Sequence, residues 1–296
     1  MKARNKGSTA SEPTLVFLHV PKTAGTTLNR IIERQYPTES LYSIGWTEEE
    51  SVAALRRMSD VRKARICMVR GHMAFGVHEF LPGPVTYFTV LRNPIERVLS
   101  YYYFVLSKPD HYLYDEISAG ETTLVGFVER QGHIMLDNAQ TRMLSGTWFG
   151  PAFGRCTREH LATAKQNLRE HFAVVGLAER FDETLLLLKR TFGWRNVFYA
   201  RQNVTRNRPP SSCLPRATLA LIAEVNQLDA ELYRYAEALF QALVERQGPS
   251  FPAELGKFQR TNRLISPFAS VLLEARKVSA RALARAILDR KFRRKS

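Results

Sequence analysis

Two short segments place basic and hydroxyl side chains directly after apolar runs. The first is HVPKTAGTTL at residues 19–28, where Lys22, Gly25, Thr26 and Thr27 precede an amphipathic stretch. A helix N-terminus that follows a buried strand offers unsatisfied N–H groups and partial positive charge, which suits phosphate or sulfate. Glycine permits close backbone approach, threonine adds hydroxyl donors and lysine adds a full charge. The segment therefore predicts an anion-binding turn, although an ordinary turn with a solvated lysine would use the same residue types.

The order of these residues differs from that of the common nucleotide-binding loop. In the Walker A pattern GxxxxGK[ST] the lysine follows the glycine, whereas here Lys22 precedes Gly25. A standard P-loop NTPase is therefore disfavoured. A nucleotide-dependent kinase with an atypical phosphate loop remains an alternative, although the sequence has no evident acidic motif for a metal.

The second segment is LRNPIERVLSYYYF at residues 91–104. Asn93 is a favourable N-cap, Pro94 suits the first helical position and Glu96 lies three residues after the cap, so a helix should begin at Pro94. Arg92 would lie at the end of the preceding strand and Ser100 about two turns into the helix. A guanidinium and a hydroxyl could hold a second phosphate. Each residue alone would equally fit a carboxylate partner or a helix surface.

A third segment offers candidate proton acceptors. VRGHMAFGVHEF at residues 69–80 contains His72, His78 and Glu79 after an apolar run. Histidine can accept a hydroxyl proton near neutral pH, so His72 is the leading candidate for a general base and the other two are in reserve. A loop histidine that only bonds to backbone carbonyls is the structural alternative.

Alternating apolar runs and helical patterns indicate the fold class. Apolar runs predict parallel strands at Leu15–Val20, Arg65–Val69, Val85–Leu91 and Phe172–Leu177. Helical patterns cover Thr26–Gln35, Pro94–Leu106, Thr122–Arg130, Asn138–Leu144, Thr157–His171, Phe181–Phe192, 216–226 and 229–246. This alternation predicts a three-layer α/β fold with a central, mostly parallel sheet flanked by helices.

Composition shifts divide the chain into three parts. Residues 1–13 are polar and predicted to be disordered, residues 14–247 form the α/β domain, and a Gly-Pro break introduces an extension at 248–296. In the extension, residues 264–295 read as a basic amphipathic helix, which would lie on an anionic membrane surface or pack on its own domain.

Charge and composition favour polyanionic partners. The 296 residues carry a formal charge of +15, and residues 275–296 contribute nine basic residues against one acidic. A non-catalytic protein that binds membranes or nucleic acid would also explain this charge. Three widely spaced cysteines indicate neither zinc nor a disulfide framework. The apolar run LVFLHV is too short for a signal peptide or a span, so the prediction is a cytoplasmic protein, peripheral at the inner membrane face through its tail.

Taken together, the first two segments resemble a known family. FLHVPKTAGTTL followed by LRNPIERVLSYYYF is similar to the paired cofactor motifs of sulfotransferases that use 3′-phosphoadenosine 5′-phosphosulfate (PAPS). The closest resemblance is to carbohydrate sulfotransferases of the heparan sulfate 2-O-sulfotransferase type and their bacterial relatives. It covers about residues 14–245 and includes FAVVGLAERFDETLLLL and NQLDAELYRYAEALF, but not the tail.

The resemblance implies roles for individual residues around PAPS. The first loop would hold the 5′-phosphosulfate and the second loop the 3′-phosphate, and NVTRNRP resembles a polar loop that closes over the nucleotide. The phosphosulfate contacts would be Lys22, Thr23, Gly25, Thr26 and Thr27, and the contacts to the 3′-phosphate or adenosine would be Arg92, Ser100, Arg206 and Arg208.

The resemblance also implies a catalytic arrangement without a metal. His72 matches the second histidine of the family's His-Gly-His segment and would be the base, while Arg70 replaces the first. Lys22 would stabilise the departing oxygen. Arg70 and Arg142, the latter on the polar segment DNAQTRMLSG, are the candidate acceptor contacts. The expected acceptor is a hydroxyl of an oligosaccharide, polysaccharide or glycolipid, and no nucleic acid partner is expected.

Overall fold

A five-stranded parallel sheet forms the centre of the protein, in the strand order β2-β3-β1-β4-β5. The computed structural model describes residues 12–45, 48–118, 123–129, 133–200 and 209–267. The strands are β1 Thr14–Leu18, β2 Leu41–Ile44, β3 Met68–Gly71, β4 Val85–Leu91 and β5 Phe172–Leu177. The sheet confirms the predicted fold class.

Helices connect and cover these strands. They are α1 Gly25–Gln35, α2 Glu48–Arg57, α3 Asp60–Lys63, α4 Pro94–Leu106, α5 Tyr114–Ser118, α6 Leu124–Glu129, α7 Ala139–Leu144, α8 Arg158–His171, α9 Phe181–Phe192, α10 Arg216–Val225, α11 Gln227–Glu245 and α12 at residues 251–267. Most predicted helices are present within a few residues. Thr122 and Arg130, the predicted ends of the helix around α6, lie outside the described residues.

The sheet core explains which strands the sequence could predict. All five residues of β1 are buried, and Phe17 stacks on Phe88 of β4 with ring centroids 5.1 Å apart. Strands covered on both faces read as continuous apolar runs. In contrast, β2 lies at the sheet edge with only Ile44 buried, so it lacks that pattern and was not predicted. The strand predicted at Arg65–Val69 lies further along the chain in the structure, where β3 covers Met68–Gly71.

Helix α12 packs on the α/β domain. Phe251 and Phe258 belong to the main core, and Glu254 accepts hydrogen bonds from Lys189 and Arg190 of α9, both at 2.7 Å. Residues 251–267 of the predicted extension therefore pack on the α/β domain, while the division of the chain at residue 248 stays a prediction. The remainder of the predicted basic helix, 268–296, lies outside the described residues, and its membrane role stays a prediction. Within the described part of the chain, every helix is too short or too polar to cross a membrane.

Candidate active site

The turn between β1 and α1 presents a helix N-terminus at the carboxyl edge of the sheet. Lys22 and Ala24 adopt left-handed backbone conformations, with φ of 73° and 68°. Such conformations cost about 1–3 kcal/mol each for non-glycine residues and persist where surrounding structure demands them. The first turn of α1 contains no acidic residue. A helix N-terminus without nearby carboxylates favours a bound anion, so the predicted anion site at this turn stays a prediction that its electrostatics support.

Gly25 is required by a neighbouring side chain. A Cβ atom placed on Gly25 would lie 1.7 Å from Nε2 of His19, a distance far shorter than a van der Waals contact. The sequence indicated that this glycine allows backbone approach to an anion, and the structure adds a second reason, since the His19 ring lies against it. His19 is only 8% exposed and also stacks on Phe17, 5.1 Å between ring centroids.

The three threonines of the loop differ in which of their groups could donate a hydrogen bond to an anion. The Thr23 hydroxyl is buried and donates to the backbone oxygen of Val20 at 2.8 Å. A contact from Thr23 to an anion would therefore come from its backbone N–H. Thr26 is exposed at the start of α1, whereas Thr27 is buried.

Lys22 is packed against an aromatic ring. Its Nζ lies 3.7 Å from the ring centroid of Phe104 on α4, a cation–π geometry. Burial, followed by the charges of Arg92 and Lys108, lowers the pKa of Lys22 from 10.5 to about 8. The ammonium therefore lies in a site where a bound anion would relieve both burial and repulsion.

The second loop is fixed as the sequence predicted and is joined to the first. The Asn93 side chain caps α4 by accepting from the N–H groups of Ile95 and Glu96, at 3.1 and 3.4 Å. Arg92 Nη1 donates to the backbone oxygen of Lys22 at 3.1 Å, and Arg92 Nη2 lies 3.7 Å from Glu96 Oε2. The two predicted anion-binding loops therefore meet at neighbouring strand ends.

Ser100 lies on the face of α4 that carries these contacts. Residues four apart on a helix are neighbours, so Glu96, Ser100 and Phe104 follow one another along one face. Glu96 contacts Arg92 and Phe104 contacts Lys22, which places Ser100 between the two cations along α4. Phe104 was not selected from the sequence, because its place in the aromatic run SYYYF indicated core packing.

His72 follows β3 and is bonded to the first loop. Its Nδ1 lies 2.7 Å from the backbone oxygen of His19, which can only accept. Nδ1 is therefore the protonated nitrogen, and in the neutral ring Nε2 carries the lone pair. The His72 and His19 rings are 4.2 Å apart. Burial and the nearby Lys22 lower the pKa of His72, and the bond to His19 opposes this effect.

His19 is a site residue that lies outside the candidate residues of the three segments. Burial, then the neighbouring His72 and Lys22, lowers its pKa well below 6.5, so the ring is neutral near pH 7. The signal in the sequence was a histidine at the end of an otherwise apolar strand, three residues before the loop lysine.

The reserve base candidates belong to a different cluster. His78 Nδ1 lies 2.9 Å from the Tyr87 hydroxyl, and its ring is 5.0 Å from Phe75 and 5.3 Å from His171. Glu79 is exposed. Neither has a contact with the paired loops among the described residues.

Arg142 does not contact an acceptor. It is fully buried, its Nη2 pairs with Asp137, and it donates to three backbone oxygens at 2.6 to 2.8 Å. The substrate-binding prediction for Arg142 is therefore wrong, because its guanidinium is used to hold the chain around α7. The polar sequence around it gave no indication that the helix would be enclosed.

Arg70 is engaged in a structural contact. Its guanidinium donates to Glu33 Oε1 at 3.0 Å and to the backbone oxygen of Asn29 at 3.1 Å, both on α1. Its Nε also donates to Ser43 on β2 at 3.3 Å. These contacts direct Arg70 to α1 and the sheet edge, so an acceptor contact would require them to be replaced.

Two predictions remain, the arginines of the polar loop and the expected absence of a metal. Arg206 and Arg208 lie outside the described residues. Among the residues that are described, no group of three His, Cys, Asp or Glu side chains is placed to hold a metal ion.

The fold and site define a class of α/β protein in which the loops that carry Lys22 and Arg92 meet at the carboxyl edge of a parallel sheet, beside a histidine with a fixed tautomer. Comparison with known proteins identifies the family. The galactose-3-O-sulfotransferase family model matches residues 2–266, and the chain belongs to this family.

Individual relatives are distant. Human galactose-3-O-sulfotransferase 3 is 26% identical over 83% of this chain, and the chain spans 60% of that protein's length. Heparan sulfate 2-O-sulfotransferase hst-2 of Caenorhabditis elegans is 25% identical, over 80% of this chain and 81% of the worm protein. A solved mouse sulfotransferase, SULT7A1 complexed with PAP, has 13% identity and a TM-score of 0.34, covering 75% of this chain and 66% of its own. The assignment rests on the family match and not on this structural likeness.

Proposed function

We propose that this protein transfers the sulfuryl group of PAPS to a hydroxyl group of a carbohydrate that contains galactose. The observation that carries the proposal is the bond from Arg92 to the Lys22 backbone, which joins two anion-binding loops beside His72. A nucleotide with a phosphosulfate at one end and a phosphate at the other requires such a double site. Family membership supports sulfuryl transfer over the kinase alternative.

The residues present fit the nucleotide. The first turn of α1 lacks acidic side chains, and Lys22 is a half-buried cation whose pKa is lowered to about 8. Lys22, the backbone of the 22–26 turn and Thr26 would hold the phosphosulfate. Arg92 and Ser100 would hold the 3′-phosphate. When bound, PAPS supplies an activated sulfuryl group with a phosphate leaving group.

During transfer, His72 would accept the proton of the acceptor hydroxyl and Lys22 would stabilise the charge on the leaving phosphate. His72 accepts the acceptor's hydroxyl proton on Nε2, because its Nδ1 proton is held by the His19 carbonyl. Lys22 stabilises the negative charge on the phosphate oxygen as its bond to sulfur breaks. The acceptor oxygen forms the new bond to sulfur, and the products are PAP and a sulfate ester.

Galactose is the preferred acceptor in this proposal. The family model and the human relative are both described as galactose-3-O-sulfotransferases, whereas the worm relative is described as acting on heparan sulfate. Arg70 replaces the first histidine of the segment that the chain shares with the heparan sulfate 2-O-sulfotransferase type, and its guanidinium is bonded to α1. This replacement argues against a simple transfer of heparan specificity.

The experiment is a transfer assay with 35S-labelled PAPS. Oligosaccharides with terminal galactose, galactosylceramide and desulfated heparan sulfate would be offered in parallel, and PAP affinity would be measured by calorimetry. Labelled galactose product that is lost in Lys22→Ala is the expected result. A folded protein that does not bind PAP would rule out the proposal, and labelling of heparan alone would correct the acceptor.

A further inference from the structure

Gln140 on α7 makes a paired contact with the backbone of Arg92. Its Oε1 accepts from the Arg92 N–H at 3.0 Å, and its Nε2 donates to the Arg92 carbonyl oxygen at 2.9 Å. Gln140 is fully buried and lies 48 residues along the chain from Arg92. Both polar atoms of one side-chain amide therefore serve one residue of the second loop.

This contact lies one residue beyond the end of β4. Ala178 donates to the Leu91 carbonyl oxygen at 2.8 Å as the pairing of β4 with β5 ends. Arg92 has therefore left the ladder, and its N–H and carbonyl need other partners. The Gln140 amide supplies both, in the way that a neighbouring strand would.

The Gln140 backbone is itself anchored from α11. The Asp229 carboxylate accepts from the N–H groups of Gln140 and Thr141 at 3.1 and 2.7 Å, and from the Thr141 hydroxyl at 2.8 Å. Asp229 and Thr141 are fully buried. The contact to Arg92 is therefore made from a helix start that is itself buried and hydrogen-bonded. A side chain held this way can set the direction of the Arg92 guanidinium.

We propose that Gln140 is the positioning residue for the 3′-phosphate contact, and that it acts by fixing the Arg92 backbone. This inference rests on the proposed function, because it concerns how the second loop grips the nucleotide. Gln140 does not touch the nucleotide. Its loss should therefore weaken recognition of the 3′-phosphate and leave the 5′ end of the nucleotide little affected.

The test compares the affinities of the full-length protein for PAP and for AMP, which lacks the 3′-phosphate. In Gln140→Met, which keeps length but makes neither bond, we expect the PAP-over-AMP preference to fall on the order of tenfold, the scale of one hydrogen bond to a charged group. AMP affinity should change less than threefold, roughly. Gln140→Asn, too short for the paired contact, should show the same loss and replaces the Met variant if that one is too unstable to purify.

Asn167→Leu is the matched control. It removes a buried amide bond to the Leu144 backbone oxygen at the other end of α7, and it leaves Gln140, Asp229 and Arg92 unchanged. It should lower the melting temperature but keep the PAP-over-AMP preference. An unchanged preference in both Gln140 variants would overturn the proposal, as would an equal loss in Asn167→Leu. A wild-type protein that binds PAP no better than AMP would instead refute the 3′-phosphate site, and with it the proposed function.

Discussion

The pKa of Lys22 makes nucleotide affinity depend on pH in a predictable direction. Burial against Phe104 and the nearby Arg92 and Lys108 bring this pKa to about 8 in the free protein. The charged form binds a phosphate and the neutral form does not. A bound anion raises the pKa, so the affinity is fully present below pH 8 and is lost as the pH rises through it.

The size of the effect follows from that value. With a pKa of about 8, about nine-tenths of Lys22 is protonated at pH 7 and about one-tenth at pH 9. If the bound pKa exceeds about 10, the association constant for PAP should therefore fall about tenfold between pH 7 and pH 9. The second pKa of a phosphate monoester is about 6, so the nucleotide phosphates are mostly doubly ionised from about pH 7 to 9 and gain little charge. His72, with its lowered pKa, stays neutral over this range.

Calorimetric titration with PAP at constant ionic strength measures this directly. Lys22→Met should bind more weakly at pH 7 and show little change up to pH 9. Lys189→Met is the control, because that lysine pairs with Glu254 of α12, away from the two loops in every contact the described residues give it, and should leave the profile unchanged. A wild-type affinity that is constant from pH 7 to 9, or an undiminished fall in Lys22→Met, would refute the assignment.

Three further substitutions test the site and its support. His72→Ala should lower kcat about 10²- to 10⁴-fold with PAP affinity nearly unchanged, and a kcat within fivefold of wild type, roughly, would place the base elsewhere. Gly25→Ala should lower the free energy of unfolding in urea by about 1–3 kcal/mol, because its Cβ would clash with His19. Gly256→Ala is the control, because its Cβ would lie 3.5 Å from the nearest atom and should cause no such loss. Arg142→Met should cost about 3–5 kcal/mol by stranding its buried carboxylate partner, and an unfolding free energy within ~1 kcal/mol of wild type would show that the pair is not structural.

Local patterns were sufficient for much of the fold. The continuous apolar runs of β1, β4 and β5 identify strands buried on both faces, and the Asn93-Pro94 cap predicts the start of α4 to the residue. These signals depend on neighbouring residues only. The half-exposed edge strand β2 has no such signal, and it was missed.

The sequence by itself determined the two strand-to-helix loops that carry Lys22 and Arg92, because a strand end, a turn and a helix start are encoded within about a dozen residues. Only the tertiary structure decided how Lys22 meets Phe104, which carbonyl sets the tautomer of His72, and that Gln140 holds Arg92. Arg142 shows the same limit, since a polar residue in a polar segment proved to be enclosed. These contacts join residues far apart in the chain that become neighbours through the order of the parallel strands, and a pattern of local residue types does not contain that order.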